Sequence, residues 1–158
     1  MIQTLFIHAA LTLIWLLLSR SHTLFNFIIG YLIGLVILFT FPKILHSRHY
    51  LNRTLGFANF LIQFTLTFLK ANYAVAKIIL FTPSTVRPAF FSYDSSHLTR
   101  FELLVLSNCI TLTPGTTTTD ISPDGKTLTV HALQFTSRDA ICAEIDHSIT
   151  RHLLRFTR

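Results

Sequence analysis

Residues 1 to 82 contain no aspartate and no glutamate, although Arg20, Lys43, Arg48, Arg53, Lys70 and Lys77 all fall there. The seven acidic residues lie in residues 83 to 158 beside seven basic ones, so the formal net charge of +6 belongs wholly to the N-terminal part. A basic, apolar half points to an anionic membrane surface. It does not point to nucleic acid, whose readers carry their basic patches on polar domains. Charge is scarce overall, 13% of residues against 51% hydrophobic, about half the charged share of a typical soluble chain.

Cysteine is nearly absent. Cys109 and Cys142 form no CxxC pair, which leaves no thiolate metal centre and no disulfide framework. Both read as small buried thiols. The catalytic signatures are missing too: no GxSxG, no phosphate-binding glycine loop, no HExxH. Asp124 is explained by a turn and Asp139 by a helix cap, while Glu144 and Asp146 are two apart and do not face each other on a helix. The scattered histidines, His46 with His49 and His147 with His152, read as solvated. No catalytic, cofactor or metal residue is expected, and an enzyme has no support.

Long apolar runs dominate what remains. "IQTLFIHAALTLIWLLLS", residues 2 to 19, and "LFNFIIGYLIGLVILFTF", residues 24 to 41, hold no formal charge. As helices each rises about 27 Å, near the hydrocarbon thickness of a bilayer. "MIQT" lacks the basic start of a signal peptide and no good cleavage site follows, so an uncleaved antiparallel hairpin is expected. Neither span contains Asp, Glu, Lys or Arg, so this chain by itself offers no ion pathway. His8, about 10 Å from the N-terminus, reads as a helix-contact histidine rather than a proton relay. Gly30 and Gly34 form a GxxxG with Asn26 one turn earlier on the same face, a candidate docking face for another span of this chain or of a partner.

Pro42 closes the second helix, and Lys43, Arg48 and Arg53 follow, which places this segment in the cytoplasm and the Arg20 turn outside. Residues 56 to 81 are long enough for a third span, but Gln63, Lys70 and Lys77 recur every seven residues, with Asn59 and Thr67 widening the stripe. A mid-span lysine costs roughly 2.5–3.5 kcal/mol on insertion scales. A helix lying in the interface avoids that cost and is the preferred reading, a third span being the alternative. Arg48, Arg53, Lys70 and Lys77 are the candidate membrane-surface contacts.

The remainder reads as a small α/β unit in the order β-α-β-β-α. A strand is expected over 85–93, interrupted by Pro88, and a helix over 96–110 with Phe101, Leu104, Val105 and Leu106 crowding one side. "TTTTDI" and "KTLTVHAL" alternate as strands, and the Asp-Gly of "SPDG" joins them as a hairpin. Thr136, three residues before Asp139, resembles a helix N-terminal box. A last helix is expected over about 138–156, its apolar set Ile141, Ile145, Ile149 and Leu153 repeating every four residues. Pro114 and Gly115 set a tight turn between the 96–110 helix and the hairpin, Pro by its fixed φ and Gly by its access to positive φ.

The stretch "LLVLSNCITLTPGTTTTDISPDGKTLTVHAL", residues 103 to 133, resembles the E subunit of Mrp-type multisubunit cation/proton antiporters. The resemblance rests on Asn108, Ile110, Thr111, Leu112, Thr113, Pro114, Gly115 and Thr116, then Leu128, Val130 and His131. "KAN" at 70 to 72, followed by "VAKIIL", extends it. The chain departs from the family in "QFTLTFLKAN", which lacks the acidic residue associated with that helix. The resemblance implies an accessory subunit of a sodium or similar cation/proton antiporter, with the pumping channels in larger partner subunits. Thr111, Thr113, Pro114, Gly115 and Thr116 are then either scaffold or a partner-contact surface.

The expected fold is therefore an α-helical transmembrane hairpin plus a small α+β (β-α-β-β-α) C-terminal domain. The expected divisions are residues 1–42 for the hairpin, 43–82 for the basic loop and amphipathic helix, and 83–158 for the head. Its expected place is the cell membrane, multi-pass, with the head cytoplasmic. Its expected partners are other membrane subunits and the lipid bilayer, with no cofactor. A stand-alone membrane-anchored binding module is the alternative function.

Overall fold

The structure is a computed structural model that describes residues 2–19, 23–45, 47–81 and 86–158. The turn at Arg20 and His46 of the 46/49 pair lie outside the described residues. The chain divides into two compact units, Met1–Leu55 and Gly56–Arg158. The class is mostly helical with one small three-stranded antiparallel sheet.

The first unit is built on α1 (Ile2–Leu18) and α2 (Leu24–Thr40), which pack against each other. Thr23 caps α2 by accepting from the Asn26 amide at 3.3 Å. Helix α3 (Arg48–Phe81) is 34 residues long, and by length and composition alone it is apolar enough to cross a membrane. The helix expected from residue 56 thus begins at Arg48. No proline or glycine separates Ser47 from Gly56, so nothing in that stretch stops the helix from extending back.

The second unit contains the rest of α3 and the order β1 (Ala89–Asp94), α4 (Arg100–Leu112), β2 (Thr116–Ile121), β3 (Thr127–Ala132), α5 (Arg138–Ile145) and α6 (Arg151–Thr157). Strand β3 lies between the other two, antiparallel to both. Its alternation buries Leu128, Val130 and Ala132 while Thr127, Thr129 and His131 stay half-exposed. Gly125 takes φ +70 in the hairpin turn, and the Asp124 carboxylate accepts from the Ser122 hydroxyl at 2.7 Å and the Lys126 amide at 3.1 Å. Strand β1 starts only after Pro88, which has no N–H for a ladder.

Three details differ from the sequence expectation. Helix α4 starts at Arg100 behind a capping box in which Thr99 and Glu102 satisfy each other's backbone amides. Leu103, Leu106, Cys109 and Ile110 enter the core while Phe101 and Leu104 each remain 59% exposed. The cap of α5 is the Ser137 hydroxyl, which accepts from the Ala140 amide at 3.2 Å, not Thr136. The last helix is also not one regular α-helix, because residues Asp146–Thr150 form a π-turn between α5 and α6.

That π-turn has a packing cause. Ile141, Ile145, Ile149 and Leu153 are all buried. A strict four-residue repeat drifts about 40° per step on an α-helix. Widening one turn takes up the drift, so all four side chains reach the same core. The turn also brings Asp146 and Thr150 to the Tyr93 hydroxyl, which lies 2.5 Å and 3.0 Å from their side-chain oxygens. Burial and then Asp146 push the Tyr93 phenol well above its ordinary value.

Candidate functional site

Gly30 and Gly34 are buried against α1. A Cβ built on Gly30 would lie 2.9 Å from Trp15 Cδ1 and 3.2 Å from the Thr12 carbonyl oxygen. At Gly34 it would lie 2.6 Å from His8 Cδ2. The two glycines therefore let α1 come close, and the ring they admit is an ionisable one. His8 is 2% exposed. Its Nε2 is 2.9 Å from the Tyr31 carbonyl oxygen, which only accepts, so Nε2 carries a proton. In the neutral ring Nδ1 then accepts from the Tyr50 hydroxyl at 2.7 Å. His8 thus ties α1 to α2 and to the first turn of α3 with both nitrogens engaged. Asn26 is half-buried one turn before Gly30.

The threonine block sits at the end of α4. Thr111 donates to the Ser107 carbonyl at 2.9 Å, Thr113 to the Cys109 carbonyl at 2.8 Å and Thr116 to the Ile110 carbonyl at 2.8 Å. Thr111 also accepts from the Thr118 amide at 3.2 Å. The Cys109 and Ile110 carbonyls already accept from the Thr113 amide, so these hydroxyls add second bonds at the end of α4, and Thr111 and Thr116 lash the hairpin to it. Gly115 follows Pro114 with φ +91, and a Cβ there would lie 3.2 Å from Val75 Cγ2.

A family model described as Na+/H+ ion antiporter subunit (MNHE) matches residues 8–156. The chain belongs to this antiporter-subunit family. It is similar to the Na(+)/H(+) antiporter subunit E1 of Staphylococcus epidermidis, 34% identical over 145 residues that cover 92% of this chain and 91% of that protein. Among solved structures it is similar to a chain of the membrane-bound sulfane sulfur reductase, an archaeal respiratory membrane complex. That match has 26% identity, covers 96% of each chain and has a TM-score of 0.55. A chain of the Mrp complex from Dietzia sp. matches at 27% identity over 65% of this chain and 96% of that one, with a TM-score of 0.48. The curated relatives, named antiporter subunits, are transporter components rather than enzymes, and membership of their family is consistent with a membrane location.

In this antiporter-family chain the remaining candidate residues distribute around α3. Phe60 and Phe64 pack on the core of the second unit. Further along, Thr67, Ala71, Val75 and Ile78 line a cleft of about 330 Å³ opposite the 113–116 turn. At 100° per residue, the side of α3 facing away from the head carries Ile62, Leu69, Tyr73 and Leu80, 57–74% exposed. Lys70 and Lys77 are exposed on the flank between these two faces. Arg48 is exposed at the helix start and Arg53 is half-buried.

Two polar contacts that the sequence reading missed hold the end of the chain. The Glu102 carboxylate, 2% exposed, accepts from the Thr157 hydroxyl at 2.6 Å and from Arg158 at 3.3 Å. Burial alone would raise this carboxyl, but the bonds from Arg158, Thr157 and Thr99 outweigh it and hold it down at about 2. On α6, His152 is buried with Nδ1 3.1 Å from the Asn59 amide nitrogen of α3. Burial and then the nearby Arg151, His147 and Arg155 lower its pKa. Among the described residues no cluster of three or more His, Cys, Asp or Glu could hold a metal ion. Cys109 and Cys142 are both free thiols, and burial raises the first to about 11.

Proposed function

We propose that this chain is an accessory and assembly subunit of a multisubunit sodium (or similar cation)/proton antiporter, anchored in the cell membrane and carrying no part of the ion path. One observation carries the reading. The only strongly titratable side chain within α1 and α2, His8, is buried and has both ring nitrogens bonded inside the chain, with no Asp, Glu, Lys or Arg in either helix. Such a group holds helices together and offers no carrier site for a cation.

In this reading α1 and α2 cross the bilayer and residues 56–81 lie in its cytoplasmic interface. The head packs on α3 at Phe60 and Phe64 and faces it across a cleft as far as Ile78, a length of about 27 Å. That is close to the hydrocarbon thickness, so a spanning α3 would bring the head, with its exposed Asp120, Arg138 and Glu144, toward hydrocarbon. An in-plane α3 instead gives Ile62, Leu69, Tyr73 and Leu80 to acyl chains and its lysines to phosphates. The head, residues 83–158, is then cytoplasmic. The Gly30–Gly34 face is used within the chain, and the threonine hydroxyls serve α4. Contact with other membrane subunits falls to the exposed apolar side of α4, Phe101, Leu104 and Leu112.

The test is complementation of a strain lacking this subunit, with antiport measured in vesicles and co-purification of the other subunits scored in parallel. The His8→Phe chain should restore transport wherever it restores assembly. Assembled complexes with no transport would overturn the proposal.

A further inference from the structure

We infer that the notch where α2 gives way to α3 is a site for one anionic phospholipid. The inference rests on the membrane reading above and adds a specific ligand to it. The notch, about 190 Å³, is lined by Phe39, Pro42, Arg48, Leu51, Asn52 and Leu55. Its polar and apolar parts are separated as an amphiphile requires. Arg48 and Asn52 are exposed one helical turn apart and so share a side of α3. Phe39 and Leu55 leave apolar surface open at 62% and 56% exposure, while Leu51 is buried at 7%.

Charge selects the headgroup. A guanidinium forks onto two phosphate oxygens, and no acidic residue exists in residues 1–82 to compete for Arg48. The exposed Lys43, next to Pro42, adds a second positive charge. Just before Arg48, the fully buried Ser47 donates its hydroxyl to the Leu38 carbonyl at 2.7 Å. Depth agrees as well. Helix α2 ends at Thr40, so Phe39 sits where hydrocarbon meets headgroups and Arg48 at phosphate level. A phosphate on Arg48, polar ester groups near Asn52 and the first acyl methylenes over Phe39 and Leu55 fill the notch in that order.

The experiment uses the full chain in nanodiscs of equal parts phosphatidylglycerol and phosphatidylcholine, with lipid retained after gentle ejection counted by native mass spectrometry. One phosphatidylglycerol per chain should be retained. Arg48→Gln should cut the phosphatidylglycerol preference about tenfold, as loss of one charged hydrogen-bonding partner implies. Arg48→Lys, which keeps the charge but loses the fork, should retain an intermediate preference, and Lys126→Gln, the same charge change in the exposed hairpin turn of the head, should leave it intact. Equal retention of both lipids by the unmodified chain, or equal losses in Arg48→Gln and Lys126→Gln, would overturn the site while leaving the membrane reading standing. A chain that does not enter discs at all would overturn both.

Discussion

The imidazole of His8 occupies the space that a side chain at Gly34 would need, with Cδ2 only 2.6 Å from the position of a Cβ. One contact thus joins two features that look unrelated in the sequence, a GxxxG and a lone histidine in an apolar helix. The glycine is small because the ring is there, and the ring is held in place by Tyr31 and Tyr50.

Gly34→Ala should therefore destabilise the helix pair by about 1–3 kcal/mol, the usual cost of overpacking. Gly34→Ala with His8→Ala should cost less than the sum of the two, because the second change removes the obstacle to the first. Unfolding of the full chain in detergent, followed by circular dichroism, gives all four corners of the cycle. Strict additivity would show that the two residues are not coupled.

At the 113–116 turn, Gly115→Ala places a Cβ at φ +91 and against Val75. A loss of about 1–2 kcal/mol is expected from the left-handed conformation alone. Thr116→Val keeps the shape but removes the hydroxyl that serves the Ile110 and Thr113 carbonyls, for about 1 kcal/mol. Near-UV dichroism and chain abundance in membranes are the measurements. If the block were only a partner surface, isolated-chain stability would not move.

Acid sensitivity should be traceable to Glu102. Its folded pKa of about 2 lies below the ordinary 4.5. The unfolded chain therefore binds the proton more tightly. The contribution is full above about 4.5 and is lost as pH falls toward 2. Glu102→Gln should flatten the unfolding profile in that window and lower stability at neutral pH by about 1–3 kcal/mol. An unchanged acid limb would assign the sensitivity to other carboxylates.

His152 gives a second, higher window. Its folded pKa is lowered, so its contribution is present above the ordinary value of 6.5 and is lost as pH falls below it. Protonation would also turn Nδ1 from an acceptor of the Asn59 amide into a donor facing it. Asn59→Asp supplies an acceptor and a negative charge, so the histidine pKa should rise. The His152 contribution should then appear as pH falls through the raised value. Stability measured between pH 5 and 8 in both chains reads the sign directly.

Much of the head was legible because strands and turns are written in local code. "TTTTDI" is β2 residue for residue, and the Pro-Gly and Asp-Gly turns place their glycines at positive φ. The π-turn was not foreseen, because the repeat of Ile141, Ile145, Ile149 and Leu153 reads as one regular helix over about 138–156. Four does not divide into whole α-helical turns of 3.6, so a strict repeat asks for a wider one. The face of α4 was misread because Phe101 and Leu104 are as apolar as Leu103 and Leu106. Hydrophobicity alone could not choose between two overlapping stripes. The choice came from Glu102, a charged side chain drawn inward by Thr157 and Arg158, 55 and 56 residues away.

The order of elements, the charge asymmetry and the apolar runs follow from the sequence alone, because each depends on neighbours within a few residues. The roles of particular residues did not. Which helix fills the space at Gly30 and Gly34, where the ITLTPGT hydroxyls donate, which face of α3 meets the head and which turns away from it were decided only when distant segments packed. Those contacts join residues whose separation along the chain carries no periodic signal. The free energy that selects them is that of burying and satisfying groups together, which no single stretch can express by itself.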